Sequence, residues 1–238
     1  MASGKRRALA VIFALAASFG CAGRTADGAD PGSAGAAYLA QDAVDLGQVQ
    51  RPGGKAIFER AGFDVAHHQV GLALILAKVV DGHNCQVFQV GDLLVQPFPV
   101  PHDAREPCQF TLQAGNRRLG LLTDTGYITP HIVASLGACD ALLLECNHDA
   151  AMLASGPYSR SLQQRVGGPL GHLSNVQAAG LLAQLDTSRL QHLVAAHLSD
   201  KNNQPALART ALAAAMDCEP DWIGIADQEG GMDWRTIA

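Results

Sequence analysis

Five polar clusters stand at the ends of apolar runs in the second half of the sequence, and each carries a side chain able to ligate a metal or move a proton. They are Pro101-His102-Asp103, Thr123-Asp124-Thr125, Glu145-Cys146-Asn147-His148-Asp149, Gly171-His172-Leu173-Ser174-Asn175 and Ala196-His197-Leu198-Ser199. Loops at the carboxyl ends of strands are where α/β proteins put chemistry. One histidine at a strand end is ordinarily a hydrogen-bonded structural residue, so the combination carries the argument. His102, Asp124 and His197 follow three separate apolar runs, which gathers two imidazoles and one carboxylate at one sheet edge. Zinc and manganese accept that donor set, and the two oxygens of a carboxylate can bridge two ions.

The elements that must position these residues are legible from the pattern. Residues 86–90, a Gly91-Asp92 turn and residues 93–97 predict a hairpin leading into the His102 loop. A second hairpin is predicted from residues 109–112 and 119–123, turning at Ala114-Gly115-Asn116 and ending at Asp124. Thr129-Pro130 opens a helix that stops at Gly137. The short apolar run at residues 141–144 reads as a strand covered on both faces. A helical piece at residues 161–166 ends at Gly167-Gly168-Pro169, and Ser174 can cap a helix through Leu185. Residues 190–196 form a further buried strand, Pro205 opens a helix to Met216, and residues 222–226 form a last strand. Strands alternating with helices predict an α/β layered domain.

The remainder of the sequence bounds the reading. Hydrophobic residues make up 48% of the 238 and charged residues 16%, a globular composition. The net charge of -5 supplies no strong basic surface, so a nucleic-acid partner would have to be recognised locally. The six cysteines are scattered without any C-x-x-C pair, which argues against a zinc knuckle or a redox motif and fits buried free thiols. Residues 1–26, with Lys5-Arg6-Arg7 ahead of an apolar stretch to Gly20, have the layout of a secretory signal. An Ala-rich segment without export function is the competing reading. Residues 27–80 read as linker or divergent chain, and residues 81–238 as the domain that carries the chemistry.

Five ordered runs give that domain a family resemblance: PVPHDAREP from Pro99, LLTDTG from Leu121, LLLECNHD from Leu142, GHLSN from Gly171 and AAHLSDKNN from Ala195. Residues 81–238 resemble the metallo-β-lactamase superfamily, and within it the YycJ/WalJ-like hydrolases, relatives of ribonuclease Z and the phosphoribosyl cyclic phosphodiesterases. The resemblance implies a metal-dependent hydrolase with two divalent ions, zinc or manganese. It makes His102 a ligand of one ion, Asp124 the bridge and His197 a ligand of the second. His172 becomes a histidine outside the ligand set that steadies an oxyanion or protonates a leaving group, alongside Asp124 in the catalytic pair. It implies that Asp103, Glu145 and Asn147 orient ligand imidazoles. His148, Ser174 and Asn175 become substrate contacts, with a loop anchor as the other reading of His148 and a helix cap as that of Ser174. The implied partner is a phosphodiester, either single-stranded nucleic acid or a small cyclic phosphate, and the GHLSN and ECNHD runs resemble that branch rather than the antibiotic-degrading one. The implied location is the cytoplasm, with export as the alternative if the signal-like segment operates.

The resemblance also implies an αββα sandwich of two sheets, and here the sequence departs from it. Superfamily members carry an HxHxDH motif in the first half of the fold, and this sequence has none. Asp64-Val65-Ala66-His67-His68 has the wrong order and spacing, and His83 has no ligand role. His102 with Asp124, and Asp124 with His197, leave two protein ligands per ion where a catalytic zinc normally keeps three. The expected architecture is therefore a sandwich with an incomplete or altered amino-terminal half. A weakly metal-binding, non-catalytic remnant is the alternative function, and an unpartnered inner sheet face would favour self-association.

Overall fold

The structure, a computed structural model, describes residues 86–90, 92–227, 231–233 and 235–238. The signal-like segment, the linker, the Asp64–His68 run and His83 lie outside these residues, as does the expected alteration of the amino-terminal half.

The described strands form one seven-stranded sheet in sequence order. β1 (Phe88–Val90), β2 (Leu93–Pro99), β3 (Cys108–Ala114) and β4 (Arg117–Leu122) make an antiparallel meander. β5 (Ala141–Glu145), β6 (His192–Ala196) and β7 (Gly224–Ile225) then extend it in parallel from β4. Helices α1 (Pro130–Leu136), α2 (Ala150–Ser155), α3 (Arg160–Val166), α4 (Asn175–Leu182) and α5 (Pro205–Met216) fill the connections. The α/β expectation and its two hairpins are met. None of the described helices is long and apolar enough to cross a membrane.

Most element boundaries follow local chemistry. Thr129 Oγ1 accepts the Ile132 amide at 3.1 Å and Pro130 sits at the first helical position, so α1 begins where the sequence predicts. β2 runs two residues past its expected end at Pro97. Pro97 and Pro99 pair with Phe110 and Cys108 on β3, whereas β1 pairs with β2 only as far as Val95. A residue without an N–H is tolerated along such an edge. Helix α2 was not predicted; Asp149 creates it by accepting the Ala151 and Met152 amides at 3.0 and 2.9 Å. The last strand shortens to two residues because Pro220–Trp222 forms a 3-10 turn in front of it.

The core sits between the sheet and helices α1, α4 and α5. Leu142 and Leu144 of β5 and Leu193 and Ala195 of β6 meet Ile132, Leu136, Leu181 and Leu212 there. The alternate residues Leu143, Val194 and Ala196 are buried on the opposite face with Ala226. Side chains alternate across a strand, so two buried faces require the continuous apolar runs seen in β5 and β6. Each fully buried leucine contributes about 1.5–3 kcal/mol, which anchors the parallel strands whose ends carry the polar clusters.

Candidate metal centre

Parallel register brings the candidate residues to one level. Leu122 pairs with Leu144, and Glu145 pairs with Ala196. Glu145 therefore ends β5 level with Thr123, while Asp124 and His197 each follow one residue beyond that row on the two flanking strands. Both leave the sheet through left-handed backbone, with φ of 53° at Asp124 and 55° at His197. That conformation costs a non-glycine residue about 1 kcal/mol or more, and it persists only where surrounding bonds hold it.

Glu145 is the centre of the arrangement. Its side chain is fully buried and accepts four N–H groups. Oε1 takes Nδ1–H of His172 and of His197, both at 2.8 Å, and Oε2 takes the Thr125 and Leu173 amides, both at 3.2 Å. Burial pushes this carboxyl up, but the hydrogen bonds from His172 and His197 and their charge outweigh it and hold it well below the usual carboxylate range. For His197 burial disfavours the charged ring, yet the bond to Glu145 and the charges of Glu145 and Asp124 leave its pKa raised.

Three imidazoles fan around Asp124. Its Oδ1 is 3.7 Å from Nδ1 of both His172 and His197 and 3.9 Å from His102 Nε2. Ring centroids lie 5.1 Å apart from His102 to His172 and 5.1 Å from His172 to His197. His102 Nδ1 donates to the Gly171 carbonyl at 3.0 Å, which turns Nε2 toward Asp124.

This donor set fits a divalent ion. Two ligands about 2.1 Å from a tetrahedral ion stand about 3.4 Å apart, close to the His102–Asp124 spacing and too long for a hydrogen bond. Ligand-capable atoms of Asp124, Glu145, His172 and His197 lie within 4.8 Å of one another. Glu145 has its lone pairs filled by four N–H groups, and the ring nitrogens that face Asp124 at 3.7 Å are the same Nδ1 atoms of His172 and His197 that donate to it, while His102, with Nε2 facing Asp124, stands outside that group of four.

The remaining expected residues do other work. Asp103 does not orient His102. Its Oδ2 accepts Arg165 Nε at 2.6 Å, which holds its carboxyl below the usual range, and Oδ1 is 3.6 Å from His102 Nε2. Asn147 reaches the His197 carbonyl rather than an imidazole, at 3.0 Å. The three expected substrate contacts are buried. His148 is 3% exposed, burial lowers its pKa, its Nδ1 makes no hydrogen bond among the described residues, and its carbonyl accepts the Asn175 amide, as a loop anchor would. Ser174 caps α4 in a reciprocal box with Gln177. Asn175 is locked to Asn203 by bonds of 2.9 and 2.8 Å.

Sequence reasoning read Gly167-Gly168-Pro169 only as a helix end and missed the close backbone contacts of this segment. A Cβ on Gly171 would lie 2.2 Å from the Arg165 and Val166 carbonyl oxygens, and one on Gly126 would lie 2.3 Å from the Pro169 carbonyl. Backbones therefore touch there, and this contact sets the Gly171 carbonyl that orients His102.

The domain described as "Beta-lactamase superfamily domain" matches residues 52–197, more than half of the chain. The chain belongs to the beta-lactamase superfamily. Among curated relatives, this superfamily member is 37% identical over 127 residues to "Exodeoxyribonuclease YycJ" of Bacillus anthracis, covering 53% of this chain and 48% of that one. It is 33% identical over 163 residues to "Exodeoxyribonuclease WalJ" of Streptococcus pneumoniae, covering 66% and 58%. The chain thus spans about half the length of the curated relatives it matches. Among solved structures it resembles the metallo-beta-lactamase fold protein YhfI from Bacillus subtilis at 15% identity and a TM-score of 0.46, covering 63% of this chain and 52% of that one.

Proposed function

We propose that this chain is a metal-dependent hydrolase of phosphodiester bonds, with His102, Asp124 and His197 as metal ligands and Asp124 bridging two divalent ions. The observation that carries the reading is Glu145 Oε1, 2.8 Å from Nδ1 of both His172 and His197, beside an Asp124 carboxylate that three imidazoles surround. A buried carboxylate that fixes two rings through Nδ1 leaves both Nε2 atoms for work. A divalent ion held there supplies charge that offsets the phosphoryl oxygens and lowers the pKa of an attacking water.

The chain's own residues divide the remaining tasks. His197 is kept basic by Glu145 and Asp124 and offers Nε2 as a ligand. His172, 13% exposed at its side chain and bonded through Nδ1 to Glu145, stands where its ring can pass a proton to the leaving oxygen as the phosphorus–oxygen bond breaks. His102, fixed by the Gly171 carbonyl, supports the first ion. The two relatives named exodeoxyribonucleases support a DNA phosphodiester over a small cyclic phosphate as substrate.

A second reading, a weakly metal-binding remnant, is favoured by the ligand count: His102 and Asp124, or Asp124 and His197, give each ion two protein donors among the described residues. Elemental analysis near two ions per chain would exclude it. For the hydrolase reading, the purified chain with manganese or zinc is assayed on a chromogenic phosphodiester and on end-labelled single-stranded DNA. Turnover by the wild type and its loss in His197→Ala are expected. Activity that survives His197→Ala would refute the assignment.

A further inference from the structure

The two left-handed residues of the site occupy equivalent places, one residue past the same row on the strands flanking β5. The end of β5 reaches both. On the β4 side, Glu145 Oε2 accepts the amide of Thr125, the residue after Asp124. On the β6 side the bonding is denser. Cys146 N–H donates to the Ala196 carbonyl at 3.0 Å, just before His197, and Ser199 N–H donates to the Asn147 carbonyl at 2.8 Å, two residues after it. Between these, Asn147 Nδ2 donates to the His197 carbonyl itself at 3.0 Å.

Asn147 thus brackets one residue with its side chain and its backbone, and at 8% exposure it does so away from water. The opposite amide orientation would set oxygen against the His197 carbonyl oxygen, so only the donating orientation fits. A left-handed histidine has no glycine-like freedom and must be held by its neighbours.

We infer that Asn147 is a positioning residue that fixes the left-handed backbone of His197 and thereby aims its imidazole. Rotating that backbone would withdraw Nδ1 from Glu145 Oε1, the contact that leaves Nε2 available. The ligand consequence rests on the metal assignment above; the backbone consequence does not. Asn147 touches neither ion nor substrate in this role. Its effect passes through His197, unlike that of Glu145, which bonds the ring directly.

The test uses the full chain and two substitutions. Asn147→Asp keeps the size of the side chain and replaces the donor by an oxygen facing a carbonyl, and Asn147→Ala removes the contact if the aspartate variant does not fold. Asp140→Asn, at the opposite ends of the strands, serves as a structural control. In the metal-free chain, hydrogen exchange at the Ser199 amide should accelerate about tenfold or more in either Asn147 variant and stay unchanged in the control at matched global stability. Zinc affinity, measured by chelator competition, should fall about 10- to 100-fold in the Asn147 variants and stay within about twofold in the control. Wild-type exchange at Ser199 in both Asn147 variants would overturn the inference. So would a loss of zinc affinity in Asp140→Asn as large as theirs. If the wild type takes up no zinc, the metal assignment fails and the exchange result alone decides the role of Asn147.

Discussion

Replacing Glu145 by glutamine keeps the shape of the side chain and removes its ability to satisfy four donors. The glutamine oxygen can accept one pair, either Nδ1–H of His172 and His197 or the amides of Thr125 and Leu173. Its NH2 group then faces the other pair. If the backbone pair is left facing NH2, two buried N–H groups lose their acceptor at about 1–3 kcal/mol each, a total of about 2–6 kcal/mol. If the imidazoles face NH2, they can relieve the clash by shifting their protons to Nε2. Nε2 then carries a hydrogen instead of a lone pair, and metal affinity falls by about 10- to 100-fold, as for other outer-shell changes. Urea unfolding followed by circular dichroism, together with zinc titration, reads both branches. The variant must lose stability, zinc affinity or both. A Glu145→Gln protein that unfolds within about 0.5 kcal/mol of the wild type and binds zinc equally well would refute the view that Glu145 organises the centre.

Other outcomes follow from particular contacts. Asp140, 1% exposed at its side chain, accepts the Arg118 amide at 2.8 Å and Arg189 Nη2 at 2.9 and 3.0 Å. Burial raises its pKa, but these bonds and Arg117 lower it overall. Its contribution is therefore complete above the unfolded value of about 3.9 and lost as pH falls through the lower folded value. Asp140→Asn should cost about 2 kcal/mol near neutrality, and urea midpoints measured against pH should begin to approach the wild type only as pH falls below about 4, meeting it below the folded value. Gly126→Ala would set a Cβ 2.3 Å from the Pro169 backbone. It should cost about 1–3 kcal/mol and weaken zinc binding by displacing the Gly171 carbonyl from His102, read by thermal melting and chelator competition. Ser174→Ala should cost about 1 kcal/mol as a lost helix cap; a loss of kcat/KM beyond tenfold would instead return Ser174 to the phosphate.

The sheet was legible because its core strands carry an unambiguous pattern. Residues 141–144 and 193–196 are continuous apolar runs, and burial on both faces demands that composition. Helix α1 was legible from Thr129 and Pro130. Helix α2 was not, because the Ala-rich run after Asp149 has no periodicity and its start depends on one capping carboxylate. At the site, the residue types at strand ends marked His102, Asp124 and His197, whereas His172, in the loop between two helices, was marked by the family resemblance. The partners of Asp103, Ser174 and Asn175 were illegible because each is a long-range or local geometric choice. Arg165 lies 62 residues from Asp103, and a serine before a helix reads equally well as a cap or a phosphate contact. The backbone contact of Gly126 with Pro169 is hidden in the same way, since glycine reports permissiveness and not what approaches it.

The most direct measurement is anomalous diffraction at the zinc or manganese edge from crystals of the full chain grown with the metal. The account predicts a peak bonded at about 2.0–2.2 Å to His102 Nε2 and to an Asp124 oxygen, with Glu145 outside bonding distance and still joining His172 to His197. A metal bound through Glu145 instead, or held elsewhere with His102, Asp124 and His197 free of it, would contradict the account.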